Sequence, residues 1–191
     1  MRLAVLGTVV EVEEGDLLLQ RWKGFWSWVT ALPNDHWSHV SIIVRGADGA
    51  PALVECTNRE WQTTDHVPVR RGVGYRVIGD GFDGDDRCER LAIARATPRL
   101  TAAEQLRMRA WWQTQLDVQL AAPERSLYDR GIDLMLVPFG CDRGLTSDRF
   151  TCSEFVARAY AAAGRWPLEH ASPLIPPLLR GLEARIVVLA V

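Results

Sequence analysis

The stretch "RFTCSEFVARAYAAAG", residues 149–164, decides how the rest of the chain is read, because it sets a thiol at the start of a helix. Phe155, Val156, Ala159 and Tyr160 recur at helical spacing, Gly164 is a natural stop, and Thr151 with Glu154 three residues on makes a capping-box signature. The spacing predicts a helix that begins at Cys152. A cysteine in a first turn sits among backbone N–H groups that the helix leaves unpaired, at the positive end of its dipole, and both favour a thiolate. That is how a nucleophile is prepared. The same residue also suits a small buried hydrophobe in a packed helix, so its meaning depends on what the chain brings to it.

A reactive thiol is commonly served by a histidine held by a third polar group. The candidates are His36, His39, His66 and His170. His36 sits in the polar break "PNDHW", His66 in a turn-like stretch, and His170 in the loop after the cysteine helix. His39 differs, because it opens the strand-like run "HVSIIV", where a sheet would hold its side chain.

The neighbouring hairpin supplies the orienter. Side chains on a strand alternate faces, so Val40, Ile42 and Val44 share one side of residues 39–45, and Ala52, Val54 and Cys56 share one side of residues 52–57. Matching these apolar sides puts His39 and Glu55 together on the other. A two-residue turn at Asp48-Gly49 would separate them, so the pairing needs an odd number of loop residues or a bulge. Burying six apolar side chains, at roughly 1.5–3 kcal/mol each, outweighs a turn preference. Glu55 is therefore read as the partner of His39.

The remaining pattern predicts an α+β fold with a largely antiparallel sheet. Residues 3–12 read as one strand, followed by the short apolar piece "LLLQ". Trp22, Phe25, Trp26, Val29 and Leu32 recur as an amphipathic helix, and strands are expected at 73–79, 89–96 and from 185. "LTAAEQLRMRAWWQTQLDVQL" reads as a long helix with its own capping box from Thr101 to Glu104. Residues 80–88 read as an exposed, mobile loop, and residues 123–148 as irregular.

At 191 residues the chain suits one domain spanning 1–191, long enough to bury a core without disulfides. Its 22 basic and 24 acidic side chains nearly cancel, and nothing in that balance asks for a nucleic-acid partner. Cys56, Cys88, Cys141 and Cys152 form no CxxC pair and have no histidine at ligand spacing, so neither a metal nor another cofactor is expected. The apolar run at the N-terminus is interrupted by glycine, threonine and glutamate and reads as strand rather than signal peptide. No segment has the length of a membrane span, and a reducing cytoplasm is the consistent setting.

"GDLLL" at 15–19, "WSHVSIIV" at 37–44, "LVECT" at 53–57, "LYDRGIDL" at 127–134 and "FTCSEFVARAYAAAG" at 150–164, in that order, resemble the circularly permuted branch of the NlpC-type papain-like cysteine peptidases and amidases, with YiiX-like amidases the nearest members. The resemblance implies a permuted papain-like fold in which an antiparallel sheet packs against the nucleophile helix. It implies a Cys152 nucleophile, a His39 base and Glu55 as third member, with Tyr128 close to the site; Trp37 and Ser153 are also expected to contact substrate. The chain departs from that pattern in carrying Ser41 where a glycine is usual after "SHV".

Three functions follow as expectations. The first is a thiol hydrolase that cleaves an amide or ester bond through an acyl-enzyme. The second is a lipid acyltransferase or phospholipase, since "TCSEFV" also looks like the cysteine motif of the lecithin retinol acyltransferase family. The tryptophan-rich stretch would then meet acyl chains or a membrane surface, a contact the sequence does not favour. The third is a non-catalytic binding module on the same fold. The expected partner is a small-molecule, peptide or lipid-like acyl substrate.

Overall fold

The computed structural model describes residues 1–5, 8–24, 37–57, 61–62, 68–69, 71–78, 88–122, 150–166, 179–180 and 182–190. A six-stranded sheet forms its centre. Its strands are β3 (Leu17–Trp22), β4 (His39–Arg45), β5 (Pro51–Thr57), β8 (Gly72–Val77), β9 (Cys88–Arg95) and β10 (Arg185–Ala190), in the spatial order β10-β9-β3-β4-β5-β8. Every ladder in it is antiparallel. Two smaller hairpins join β1 (Arg2–Val5) to β2 (Thr8–Glu11), and β6 (Trp61–Gln62) to β7 (Pro68–Val69).

The described helices are α1 (Ala102–Ala121) and α2 (Cys152–Ala163), and both begin on the capping boxes that the sequence announces. In α2 the Thr151 backbone N–H donates to Glu154 Oε2 at 2.9 Å, and the Glu154 N–H donates to Thr151 Oγ1 at 3.2 Å. The helix stops at Gly164, whose φ of +83° is costly for residues with a Cβ. Arg107 on α1 donates to the Ala163 carbonyl at 2.6 Å, satisfying one of the last acceptors of α2.

Alternation along the strands divides the core into two layers. Leu17, Leu19, Ile42, Val44 and Val54 face Met108 of α1 and Phe155, Val156 and Tyr160 of α2. Leu18, Ile43, Leu53, Leu91 and Ile93 lie on the opposite side with Leu3 and Val12. With both faces covered, β3 and β4 read as continuous apolar runs, which explains why "LLL" is a strand.

The β4–β5 connection settles the conflict between turn and burial. The Gly46 N–H donates to the Ala50 carbonyl at 2.7 Å, so that pair closes a three-residue loop. Gly49 sits at φ +83° in the left-handed position that such a loop requires. The odd count follows, and Ile42 pairs with Val54.

Two expectations change. Residues 3–12 are two strands rather than one, because β1 and β2 fold back on each other from Arg2↔Glu11 to Val5↔Thr8. Trp22 belongs to β3 instead of opening a helix, since its backbone pairs with Cys88 of β9. Ladder hydrogen bonds override helical spacing there. The rest of that expected helix, residues 25–32, lies outside the described residues, as do 79–87 and 123–149.

A buried carboxylate ties the turn before β3 to the end of the neighbouring strand β9. Asp16, 3% exposed, takes a bidentate pair from Arg95, with Nε to Oδ1 at 2.9 Å and Nη2 to Oδ2 at 2.6 Å. It also accepts from the Glu13 backbone N–H at 2.9 Å.

Candidate active site

His39 and Glu55 come from adjacent strands, and Cys152 from the first turn of α2. Continuing the β4–β5 register from Ile42↔Val54 puts Ser41 opposite Glu55, with His39 one diagonal step away on the same face. His39 Nε2 lies 2.9 Å from Glu55 Oε2, and the Ser41 hydroxyl donates to that same oxygen at 2.7 Å. Cys152 is close enough to the ring to act on it, and helps hold its charged form. Because Nε2 is taken by the carboxylate, Nδ1 is the atom left for the thiol. Thus the three residues proposed from sequence as nucleophile, base and orienter meet at one place.

Cys152 is held there from two directions. Its helix starts on the Thr151 cap, and two residues earlier the Phe150 carbonyl accepts from the Cys56 thiol at 3.3 Å. Cys56 adjoins Glu55 in β5, so one contact brings the strand that carries the carboxylate against the segment that delivers the sulfur.

The electrostatics follow from burial and pairing. His39 is 4% exposed, and burial alone would lower its pKa. The hydrogen bonds and charges of Cys152 and Glu55 outweigh that penalty and raise it from 6.5 to about 9. Burial would push Glu55 up. The hydrogen bond and charge of His39, followed by Arg76 and Ser41, overcome it and lower the carboxyl from 4.5 to about 2. The arrangement therefore holds an imidazolium against a carboxylate near neutral pH. Arg76 Nη2 stands 4.0 Å from Glu55 Oε1, on a side chain that is 46% exposed.

Several neighbours were not legible as site residues. Trp22 stacks on the His39 ring at 4.8 Å between centroids and 23° between planes, which fixes the ring's tilt. Nothing in the sequence alone revealed that β3 pairs with β4 through Gln20↔His39. Ser41 carried a usable signal, because a residue two positions from His39 on a strand must share its face.

The expected substrate contacts divide. Trp37 is 2% exposed in the main core cluster, with the Arg90 guanidinium 4.9 Å over its ring. Ser153 is 1% exposed, and its hydroxyl lies 3.3 Å from that of Thr151. Neither side chain offers surface to a substrate, because the apolar core encloses the first and the helix cap occupies the second. Tyr128 lies outside the described residues. Among the described residues, no group of three or more His, Cys, Asp or Glu side chains is arranged to hold a metal ion. No described helix is long and apolar enough to cross a membrane.

The antiparallel sheet packed against the two described helices is an α+β fold of the yiiX type. Among solved structures the chain is similar to the crystal structure of metalloprotein yiiX from Escherichia coli O157:H7, with a TM-score of 0.50 and 18% sequence identity. The match covers 79% of this chain and 66% of that one, so the chain spans about two thirds of its neighbour's length. No protein-family profile and no curated protein matches the sequence.

Proposed function

We propose that the chain is a permuted papain-like thiol hydrolase that cleaves an amide or ester bond through an acyl-enzyme. The observation that carries this reading is a single buried imidazole hydrogen-bonded to the Glu55 carboxylate and electrostatically coupled to Cys152 at the start of α2. Histidine before glutamate before helix-borne cysteine is also the chain order of the permuted enzymes that the sequence resembles.

Cys152 Sγ attacks the acyl carbon as a thiolate, with the imidazolium of His39 beside it. The carbonyl oxygen takes the negative charge, and the first-turn N–H groups of α2, that of Cys152 included, are the donors suited to receive it. His39 then gives its proton to the leaving amine or alcohol as the bond from carbon to that group breaks. Water attacks the thioester, His39 takes a proton from it, and the carbon–sulfur bond breaks to release the acid and the thiolate. Glu55 holds the ring's orientation and supports its charged form throughout.

The yiiX structure is described as that of a metalloprotein. The described residues here do not fit a resident ion, since His39 and Glu55 are committed to each other and no three-ligand set accompanies them. The lipid-transfer reading rests on "TCSEFV" together with the tryptophan-rich segment, most of which lies outside the described residues.

The test is a panel of peptide amides, isopeptides, acyl-amino acids and phospholipids, offered to wild-type protein and to Cys152→Ala. Turnover that disappears in the variant, together with selective alkylation of Cys152 by iodoacetamide, is the expected result. Equal turnover in both proteins, or a Cys152 that no electrophile labels in the folded chain, overturns the proposal.

A further inference from the structure

Glu55 has two cationic neighbours, and its carboxylate cannot serve both equally. His39 approaches Oε2 at 2.9 Å from β4, while Arg76 stands 4.0 Å from Oε1 on β8. The last torsion of a glutamate is broad and nearly two-fold, so the backbone of β5 does not by itself decide which cation the carboxylate faces. Arg76 has the advantage of a planar guanidinium with several donors to offer a carboxylate. Against it, His39 has a geometric helper: the Ser41 hydroxyl, on a fully buried side chain, donates to the same Oε2 at 2.7 Å.

We propose that Ser41 is a positioning residue that allots Glu55 to His39 rather than to Arg76, making the site a Cys-His-Glu arrangement with a fourth, serine member. This rests on the hydrolase reading above and assigns Ser41 a part that the three-residue scheme lacks. Two donors converge on one oxygen from the same face of β4, and together they pin the rotation of the carboxylate. Remove the hydroxyl, and Oε2 keeps only the imidazole, while Oε1 keeps its guanidinium. The carboxylate then turns toward β8, and the ring loses part of the support for its charged form. Among the described residues, the groups that bear on this balance are His39 and Ser41 on β4, Arg76 on β8, Cys152 at the start of α2, and the uncharged Trp22 on β3, which covers the ring face.

The measurement is the titration of the His39 ring, followed by the NMR signal of its Cε1–H and assigned by its loss in His39→Gln. Ser41→Ala is expected to lower the midpoint by about one pH unit, the size appropriate to weakening one hydrogen bond to a charged group. Ser41→Thr keeps the hydroxyl and is expected to hold the wild-type midpoint, and thermal unfolding of both variants confirms that folded protein is being titrated. If Ser41→Thr does not fold, Ser41→Ala alone decides through the direction of its shift. An unchanged or raised midpoint in Ser41→Ala overturns the proposal, because a serine that merely fills space would leave the ring's proton where it was. Iodoacetate alkylation of Cys152 separates this outcome from failure of the hydrolase reading. A thiol that reacts no faster in wild type than in His39→Gln removes the hydrolase, whereas the midpoint still reports on Ser41.

Discussion

His39 titrates with its surroundings, and that makes it the most informative single residue in the chain. Its pKa rises from 6.5 to about 9 in the fold. Below 6.5 the ring is protonated whether the chain is folded or not, so its stabilising contribution is fully present there. As pH rises toward about 9, the unfolded chain has already released the proton, and the contribution is lost as the folded ring follows. Thermal unfolding across that window should therefore show wild type losing its advantage over His39→Gln as pH rises. Glu55 behaves with the opposite sign. Lowered from 4.5 to about 2, it contributes fully above 4.5, and acid removes that share as pH falls toward about 2. Glu55→Gln should flatten the acid limb of the same stability profile. The partnership of these two side chains was legible beforehand because strand parity is a strict rule, and six apolar residues fixed which faces matched. The Trp22 contact was not legible, because it depends on the pairing of strands separated by a stretch of sequence with no parity of its own.

Helix α2 was the element most completely written in local sequence. Its cap, its apolar stripe and its glycine stop all sit within sixteen consecutive residues, and each is a short-range physical requirement. Thr151→Ala removes the acceptor for the Glu154 N–H and should destabilise the protein by about 1 kcal/mol in denaturant titration. It should also slow alkylation of Cys152, since the cap fixes where the first turn begins. Gly164→Ala tests the other end. A Cβ there would lie 3.6 Å from Arg107, an ordinary contact, so the cost is the left-handed backbone itself, about 1–2 kcal/mol. Strand β3 was less legible: three leucines in a row carry no alternation when both faces of a sheet are covered. The turn between β4 and β5 misleads locally, since Asp-Gly favours a two-residue loop, and only the layers above and below the sheet correct it.

The molecule is held together by contacts between distant parts of the chain, and sequence patterns say little about those. The Asp16–Arg95 pair spans 79 positions, and the Tyr160 hydroxyl donates to the Gly15 carbonyl across 145. Both gather α2, β9 and the turn before β3. Asp16→Ala leaves a half-buried guanidinium without its bidentate partner and should cost about 2–3 kcal/mol, read as a lower denaturant midpoint with an unchanged slope. Neither partner announces the other, because charged residues are common and only the sheet brings these two together. The same long reach governs the candidate site. His39 and Glu55 belong to one hairpin, whereas Cys152 arrives about a hundred positions later, in the final quarter of the chain. In the proposed hydrolase, a polypeptide still leaving the ribosome thus carries His39 and Glu55 without the sulfur, and it would stay chemically silent until α2 docks.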